Sequence, residues 1–465
     1  MNAAVDDEFL RIELRGLEPV PDSDRRGHPR ELYFIWAGAL ADFFSILAGA
    51  LLVSVLGLGV VDAVAVLVLG ALAGGALLGP LSVTGVRAGV PQIVFSRLAF
   101  GRRGAVVGGV LTSLIAIGWF SYDCAIAVTT AKALPVFGSG PPPWAVALML
   151  LAMVVGCVLV AVFGHRTITV VQTVQAPAFM VLALLVGIVL APRFHPGLAS
   201  TLDPASHVSA VLLGFTATFA LIVSWATYAA DYSRYLPRKS SGLAVSLWSG
   251  AGSVTTLVLC GILGVLVQSI DPKDQDLAGL IVGHLPAWLA WAFVAFIVIA
   301  EMSSNYLNVY TAALSSLASG LTLLRWQAAV AVGLVGGAIA GLVLANTDRF
   351  ASIYLSFLTV TYVWFPAWCV VVLADYWQRR RAIDPGVFLA GGNLPAWRWP
   401  ALATFGVGTL ATLLFFQEPG FFRGVGAQLL FHDQFADISP FIGVAVSVVV
   451  FLGLVRLLRP RSAPA

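Results

Sequence analysis

Charged residues are scarce in this 465-residue chain, at 11% of the sequence, whereas 59% of its residues are hydrophobic. A soluble globular domain carries roughly 25% charged residues, so the composition excludes an ordinary soluble fold. The mean hydropathy of +0.93 is instead that of a polytopic membrane protein.

Cysteines and catalytic motifs are also scarce. Only four cysteines occur, all within apolar segments, and their spacing fits neither a zinc site nor a redox pair. The sequence contains no Walker motif, HExxH motif or GxSxG elbow, and no haem or iron–sulfur spacing. We therefore expect no cofactor, no enzymatic activity and no ATP-driven transport within this chain.

Long apolar segments, by contrast, are abundant. A helix needs about 20 apolar residues to span a bilayer, and twelve segments qualify. They lie at roughly 33–57, 60–82, 105–133, 143–163, 168–191, 207–230, 244–270, 284–318, 326–345, 350–375, 400–417 and 438–458. We predict an all-α protein with twelve transmembrane helices in a single domain over residues 33–458, between polar tails at 1–32 and 459–465.

Basic residues are distributed unevenly about these spans. If the N-terminal tail is cytoplasmic, only five of the 26 Lys and Arg residues face outside. These five are Lys132, Arg193, Lys273, Arg349 and Arg423. Because cytoplasmic loops are enriched in Lys and Arg, we predict that both tails are cytoplasmic and that the protein lies in the inner or plasma membrane.

The segment between spans two and three is less apolar than its neighbours. It covers residues 85–103 and contains four arginines. A helix with an apolar face and a basic face lies in the plane of the membrane surface. We therefore predict an interfacial helix on the cytoplasmic side.

Three carboxylates lie deep inside apolar spans, where lipid disfavours them. Asp42 is in span one, Asp123 in span three and Glu301 in span eight. A charge at the bilayer centre costs roughly 2.5–3.5 kcal/mol even on the lenient insertion scale. Such residues usually face a protein cavity, so these three predict a transport site.

Spans one and six have interiors that are unusual for a continuous helix. Span one contains Gly38, Ser45 and Gly49, and span six contains Gly214 and the polar run 224–228. Transporters often break a helix near the midplane, where the half-helix ends bind solute and ion. The two spans are five apart, as two inverted repeats of five spans would require.

Span three pairs an indole with a carboxylate. Trp119 and Asp123 are four residues apart and share one helix face. This pair suits a flat heteroaromatic solute, because the ring stacks and the acid accepts hydrogen bonds from N–H groups. Trp225 on span six is a candidate for the second face of the ring. The alternative is that these side chains serve helix packing or the membrane interface.

Span eight carries a dense polar stripe. Ala300, Ser303 and Ser304 are spaced to place one carbonyl and two hydroxyls on one face, as hard oxygen donors for a small cation such as Na⁺. Glu301, Asn305 and Asn308 form the adjacent stripe. The alternative is that these groups form hydrogen bonds between helices.

The end of span six carries a second charged pair. Asp231 and Arg234 are three residues apart, close enough for a local ion pair. We predict a gating or structural role for them, away from the solute. The alternative is a helix-end cap that also anchors the topology.

With these motifs in order along the chain, the sequence resembles the nucleobase:cation symporter-1 family, in its purine–cytosine permease branch. The resemblance runs from span one to about span ten. It rests on Gly38–Gly49, Gly85–Pro91 with Ser96–Gly101, Gly118–Phe120, Trp225–Pro237, and Ser303–Asn305 with Asn308–Tyr310.

The resemblance implies a LeuT-like fold, in which a 5+5 inverted repeat covers about residues 33–375 and two peripheral helices cover about 400–458. It implies that Trp119 and Trp225 sandwich the solute. It implies that Asp123 and Asn305 read the edge of the ring. Hydantoin-transporting relatives have an amide at the position of Asp123. Asn308 is the nearest match to a second solute-contacting asparagine. It also implies a sodium site made of span-one carbonyls within Gly38–Ala41 together with Ala300, Ser303 and Ser304.

We therefore interpret the chain as a symporter that imports cytosine or a purine with H⁺ or Na⁺ by alternating access. The hydroxyls favour Na⁺, whereas Asp42 and Glu301 also fit H⁺ coupling or solute contact. The alternatives are a symporter of another small heteroaromatic, such as a hydroxymethylpyrimidine-type vitamin precursor, allantoin or a hydantoin, and a passive channel. As partners we expect the solute and membrane lipid, and no nucleic acid. The oligomeric state is open, and a monomer is compatible with the sequence.

Overall fold

The apolar segments form α-helices, because a backbone surrounded by lipid must pair its own N–H and C=O groups. The computed structural model describes residues 7–132, 140–346, 350–379, 383–389, 392–418, 422–432 and 436–458. The side chains of residues 350–362 lie outside this description, as do residues 1–6 and the predicted tail at 459–465.

The first five predicted spans coincide with helices. Span one is divided into two helices, and one short helix separates spans two and three. The helices are α1 (Glu31–Ala39), α2 (Phe43–Ser54), α3 (Val60–Ala88), α4 (Gln92–Phe100), α5 (Ala105–Lys132), α6 (Pro143–Phe163) and α7 (His165–Leu190).

The second five spans repeat this plan, with span six divided and a short helix before span eight. The helices are α8 (Pro204–Val223), α9 (Ala229–Ser233), α10 (Gly242–Gln268), α11 (Leu277–His284), α12 (Ala287–Ala318), α13 (Arg325–Ala345) and α14 (Phe350–Gln378). Short 3-10 turns lie at Ala191–Arg193, Ala226–Tyr228 and Pro385–Phe388.

The remaining residues form a peripheral unit. It consists of α15 (Trp399–Phe415), β1 (Gln417–Glu418), β2 (Phe422–Arg423), α16 (Val425–Phe431) and α17 (Ser439–Leu458). The strands form an antiparallel hairpin with Gln417 opposite Arg423. α15 and α17 pack against each other and against α14, as expected for two helices outside the repeats.

Helix length and apolarity agree with a membrane location. Among the described residues, nine helices are long and apolar enough to cross a bilayer, and the bent pair of α1 and α2 makes ten. α15 is apolar but shorter, and α14 is described only in part. Each of the twelve predicted spans therefore coincides with a helix or a broken helix.

Helix packing reveals the repeat. Each of spans two, three and four packs against the span five places later, in the pairs α3 with α10, α5 with α12 and α6 with α13. Span one contacts span seven, and correspondingly span six contacts span two. In the same way span three contacts span nine, and span eight contacts span four. This exchange is the pattern of a 5+5 repeat, and it brings the breaks in spans one and six together.

The break in span one has a local cause. Asp42 adopts an extended backbone, with φ −138° and ψ 172°, and its side chain accepts a hydrogen bond from the Ser45 amide at 2.8 Å. Aspartate is a favoured N-cap because it satisfies an amide at the helix start. α2 therefore starts anew after Asp42, at 57° to α1.

Two short helices differ from the sequence prediction. The predicted interfacial helix is α4, but eight of its nine residues are buried, and it packs against α5 and α14. Its polar Gln92 accepts from the Thr84 hydroxyl of α3, and its Ser96 is buried and donates to the Ile93 carbonyl of α4 itself. Amphipathicity alone does not reveal this burial. α11 follows the acidic loop 271–276, was not predicted, and contacts α10 and α12.

The N-terminal tail is part of the folded structure. Its Leu10 amide donates to the Thr167 hydroxyl on α7 at 2.9 Å, and its Glu13 amide donates to the Val162 carbonyl on α6. Arg325 at the start of α13 donates to the Glu13 carbonyl. We call the end of the molecule where residues 7–30 pack the tail face.

Candidate functional site

A cavity lies where the two broken spans face α5 and α12. The volume open to the centre of a water-sized sphere is about 20 Å³, close to the least that holds one water molecule. It contains six of the residues predicted from the sequence to bind solute or cation. The lining residues are Leu40, Asp42, Phe44, Ser45, Trp119, Asp123, Leu221, Ser224, Trp225, Ser304 and Asn308.

Aromatic rings form two walls of this cavity. Trp119 on α5 contacts the Phe44 ring of α2 edge-on, with centroids 5.7 Å apart. Trp225 lies two residues after the end of α8 and contacts Tyr228 at 5.2 Å and Trp36 at 6.3 Å, both edge-on. The two tryptophans that the sequence singled out therefore line the same small space.

Asp123 lies at the centre of a hydrogen-bonded chain. Its Oδ2 accepts from the Ser304 hydroxyl at 3.1 Å and from the Asn308 amide at 3.2 Å. Tyr228 donates to the Asn308 carbonyl oxygen at 3.1 Å, which fixes that amide. Within the described residues Asp123 Oδ1 makes no hydrogen bond, so it is left to accept one from a solute.

Asn305 lies behind the cavity wall rather than in it. Its amide nitrogen donates to the Phe120 carbonyl at 3.3 Å and to the Cys124 sulfur at 3.5 Å. Its Oδ1 accepts from Asn308 at 3.1 Å. One turn of α12 separates the two asparagines. In this conformation Asn305 joins α12 to α5 and positions Asn308.

The predicted cation ligands are only partly brought together. The Ser303 hydroxyl donates to the Gly38 carbonyl at 3.0 Å, joining α12 to α1. Ala41 and Ala300 lie in the adjacent apolar cluster. Ser304 instead turns to Asp123 and to the Glu301 carbonyl. Gly38 and Ser303 are therefore the pair that this conformation has preassembled.

Glu301 and Asp42 meet at the start of α2. Glu301 Oε1 accepts from the Phe43 amide, the first of the helix, at 2.9 Å. Its Oε2 is buried and has no hydrogen-bond partner within the described residues. Amides at a helix N-terminus and the helix dipole favour nearby negative charge. This half-helix end therefore holds two carboxylates beside the cavity.

Among the residues that the structure describes, none of the three central acids has a basic partner. Within the described ranges no ion pair involves Asp42, Asp123 or Glu301. All three are buried, with exposures of 6%, 3% and 0%. Buried charge without compensation is costly, so such groups bind a cation or take up a proton. The site is therefore suited to cation uptake.

Asp231 lies between the cavity and the tail face. Its Oδ1 accepts from the Gln92 amide at 2.8 Å, and its Oδ2 from the Thr311 hydroxyl at 2.7 Å. These contacts connect α9, α4 and α12. Asp231 and Arg234, which are close enough in sequence to pair, form no ion pair with each other, and each side chain has its own partners.

Arg234 reaches the N-terminal tail. Its guanidinium contacts Glu13 Oε1 at 3.2 Å, and both side chains are almost completely buried. Tyr310 on α12 donates to the same oxygen at 3.0 Å. The His165 amide at the start of α7 donates to Glu13 Oε2 at 2.8 Å. Glu13 therefore holds together elements from three spans.

Sequence reasoning missed Glu13 and Gln172. Glu13 is one of several acids in a polar tail, and no local pattern distinguishes it. Gln172 is a polar residue inside apolar span five, which could have been a signal. Its amide contacts Ser303, 131 residues away in the chain.

Comparison with known proteins gives a family. The family model described as "Permease for cytosine/purines, uracil, thiamine, allantoin" matches residues 19–436. The chain belongs to this family. Two relatives are the putative purine-cytosine permease YxlA of Bacillus subtilis (strain 168), 24% identical over 97% of each chain, and the purine-cytosine permease FCY2 of Saccharomyces cerevisiae, 24% identical over 87% of this chain and 77% of that protein.

Solved structures share the fold. Mhp1, a nucleobase-cation-symport-1 family transporter in a closed conformation with bromovinylhydantoin bound, superposes with a TM-score of 0.73 over 95% of both chains at 15% identity. A Na⁺-coupled sialic acid symporter superposes with a TM-score of 0.53 over 94% of this chain and 99% of that one, at 12% identity. The fold is therefore LeuT-like, and this member of the permease family is a multi-pass membrane transporter, not an enzyme.

Proposed function

We propose that this permease is a secondary symporter that imports cytosine or a purine base together with a cation by alternating access. The observation that carries this proposal is the buried cavity in which Trp119, Trp225 and Asp123 meet. Beside it lie two further buried acids that form no ion pair within the described residues. Aromatic faces and a hydrogen-bond acceptor match a flat ring with N–H donors. The relatives described as purine-cytosine permeases point to the same solute class.

The base stacks between Trp119 and Trp225, and Asp123 Oδ1 accepts from an N–H at the ring edge. Asn308, held by Tyr228, supplies a second polar contact. Because the cavity of about 20 Å³ is smaller than a base, Phe44 and the start of α2 shift when a base enters. Asp123 is thus a reader of the ring edge.

The cation compensates the acids at the centre. Na⁺ coupling is supported by the Gly38–Ser303 pair, which places a carbonyl and a hydroxyl oxygen together. H⁺ coupling is supported by Asp42 and Glu301. Glu301 Oε2 has no hydrogen-bond partner within the described residues, so a proton could be added there without displacing a donor. Binding of either cation stabilises the negatively charged site and thereby favours binding of the base.

Asp231 and Arg234 act as gating residues that keep the tail face closed. Asp231 ties span six to α12 through Thr311, and Arg234 ties the same span to Glu13. The tail face lies toward the cytoplasm in this proposal, because most Lys and Arg residues then obey the positive-inside rule. Inward release of the base requires these contacts to separate.

Uptake of radiolabelled cytosine and adenine into proteoliposomes tests the function. We expect the base to accumulate above its outside concentration. Either a sodium gradient drives this uptake, or a proton gradient drives it and a protonophore abolishes it. The two arms distinguish Na⁺ from H⁺ coupling. Equal rates with and without both gradients would contradict symport and indicate a passive channel.

A competition panel tests the solute class in the same assay. Unlabelled cytosine, purines, allantoin, a hydantoin and a hydroxymethylpyrimidine compete against the labelled base. We expect cytosine or a purine to compete most strongly, because Asp123 requires an N–H donor at the ring edge. If one of the other compounds competes more strongly, the solute of this transporter belongs to the class of that compound and not to the nucleobases.

A further inference from the structure

Gln172 on α7 is buried beside the Gly38–Ser303 pair, yet no span-five residue belongs to the cation set expected from the sequence. Its side chain has an exposure of 0%. Its Nε2 donates to the Ser303 carbonyl at 2.9 Å, and the Ser303 hydroxyl donates to its Oε1 at 2.7 Å. Spans one, five and eight therefore meet at one point.

The two hydrogen bonds to Ser303 define how the amide is turned. Because Nε2 is engaged by the Ser303 carbonyl, Oε1 must face the Ser303 hydroxyl and α1. Gly38 permits this close approach, since a Cβ built there would lie 1.6 Å from Gln172 Oε1. The amide oxygen thus rests directly against the backbone of Gly38.

Acceptors exceed donors at this point. The single hydroxyl hydrogen of Ser303 is shared by the Gly38 carbonyl and Gln172 Oε1, at 3.0 and 2.7 Å. One hydrogen cannot satisfy two carbonyl oxygens well. The three oxygens are neutral and hard, the class that alkali and alkaline-earth cations prefer. Asp42 and Glu301, at the start of the next half-helix, add negative charge.

We propose that Gln172 is a ligand of the coupling cation, with Oε1 joining the Gly38 carbonyl and the Ser303 hydroxyl oxygen around Na⁺. This inference rests on the proposed symport function. In the absence of the ion the Ser303 hydrogen bridges the carbonyls. When Na⁺ binds, the hydroxyl turns its lone pair to the ion, and the Gln172 Nε2 bond to Ser303 keeps the amide oriented.

Sodium-dependent stabilisation of the purified full-length protein tests this ligand directly. The melting temperature is measured in a series of NaCl concentrations, with choline chloride holding ionic strength constant and no base present. We expect Na⁺ to stabilise the wild-type protein. Gln172→Leu should raise the half-saturating Na⁺ concentration about 10- to 100-fold, the range for losing one polar contact to a charge.

Two further variants and a matched control sharpen the test. Gln175→Leu changes the same residue type one turn along α7 and should leave the Na⁺ response unchanged. Gln172→Glu keeps an oxygen at the site and should restore a response that Gln172→Leu loses. Gly38→Ala keeps Gln172 but pushes its oxygen away, so it should weaken the Na⁺ response in the same direction.

The outcomes separate this proposal from the proposed function. A wild-type protein without any Na⁺ response, or equal Na⁺ responses in wild type and Gln172→Leu, overturns the assignment of Gln172. Base uptake that fails in proteoliposomes while Na⁺ still stabilises the protein through Gln172 overturns the symport function and leaves the ligand assignment standing.

Discussion

The centre of the molecule and its tail face both bury carboxylates, but they compensate them differently. At the centre, Asp42, Asp123 and Glu301 are held by hydroxyl, amide and backbone N–H donors. At the tail face, Glu13 is held by Arg234 and by tyrosine hydroxyls. An arginine does not lose its proton in proteins, so its charge is permanent.

The difference teaches which buried acids are free to change state. A buried carboxylate paired with a permanent charge is already compensated and acts as an anchor. A carboxylate among neutral donors lacks a counter-charge, so binding of a cation or proton alters the free energy of the site strongly. Within the described residues the central acids therefore lack a permanent counter-charge, whereas Glu13 at the tail face has one.

The largest effect expected is on transport, from Asp123→Asn. The variant keeps an acceptor for Ser304 and Asn308 but loses the carboxylate charge that we propose as the reader of the base. We expect uptake to fall by about 10- to 100-fold, the range for a hydrogen bond to a charged group, with little change in melting temperature. Near-wild-type uptake in initial-rate measurements would remove Asp123 from the solute site.

The next effect is on stability, from Glu13→Ala. It leaves the Arg234 guanidinium buried without its carboxylate, a change that costs about 3–5 kcal/mol in buried pairs. We expect a clearly lower melting temperature in detergent. Base affinity, measured by equilibrium binding, should change little because the tail lies away from the cavity.

Glu8→Ala is the matched control for this prediction. Glu8 is also a tail glutamate paired with an arginine, Arg11 at 3.2 Å, but both side chains are about half exposed. Exposed pairs contribute about 0–1 kcal/mol. If Glu8→Ala and Glu13→Ala lower the melting temperature equally, burial at the tail face is not what makes Glu13 an anchor.

A smaller effect is expected from removing one stacking surface at the centre. Trp225→Ala should weaken base binding by about 2- to 12-fold, since an aromatic pair contributes about 0.5–1.5 kcal/mol beyond its buried area. Trp225→Phe should retain most of the affinity. Titration calorimetry checks both, and equal losses in the two variants would indicate a packing role instead of stacking.

The smallest effect concerns pH at the tail face. Burial opposes ionisation of Asp7, but the His165 imidazole at 3.1 Å and the neighbouring Arg166 outweigh it and lower the pKa of this carboxyl below its ordinary value of 3.8. Its contribution to stability is therefore present above about pH 4 and is lost as the pH falls through the lowered pKa.

Asp7→Asn tests this directly. Melting temperatures of the variant and the wild type should differ near pH 5 and should converge below about pH 4. Convergence that already begins near neutral pH would show that another group controls attachment of the tail.

Local patterns predicted much of the fold and part of the site. Apolar length located the spans, and a helical spacing of four residues brought Trp119 and Asp123 to one face. The same spacing did not reveal that Asn305 turns toward Phe120, because that depends on how closely α5 approaches α12. The burial of α4 was missed for the same reason, since its partners lie elsewhere in the chain.

By itself the sequence determined the membrane class, the positions of the helices and the presence of acids at their centres, because each follows from neighbouring residues. Only the tertiary structure decided the partners of the buried polar side chains. Glu13 and Arg234 are 221 residues apart, and Gln172 and Ser303 are 131 apart. Such contacts form only when helices pack, and packing determines whether a buried carboxylate becomes an anchor or remains open to a cation.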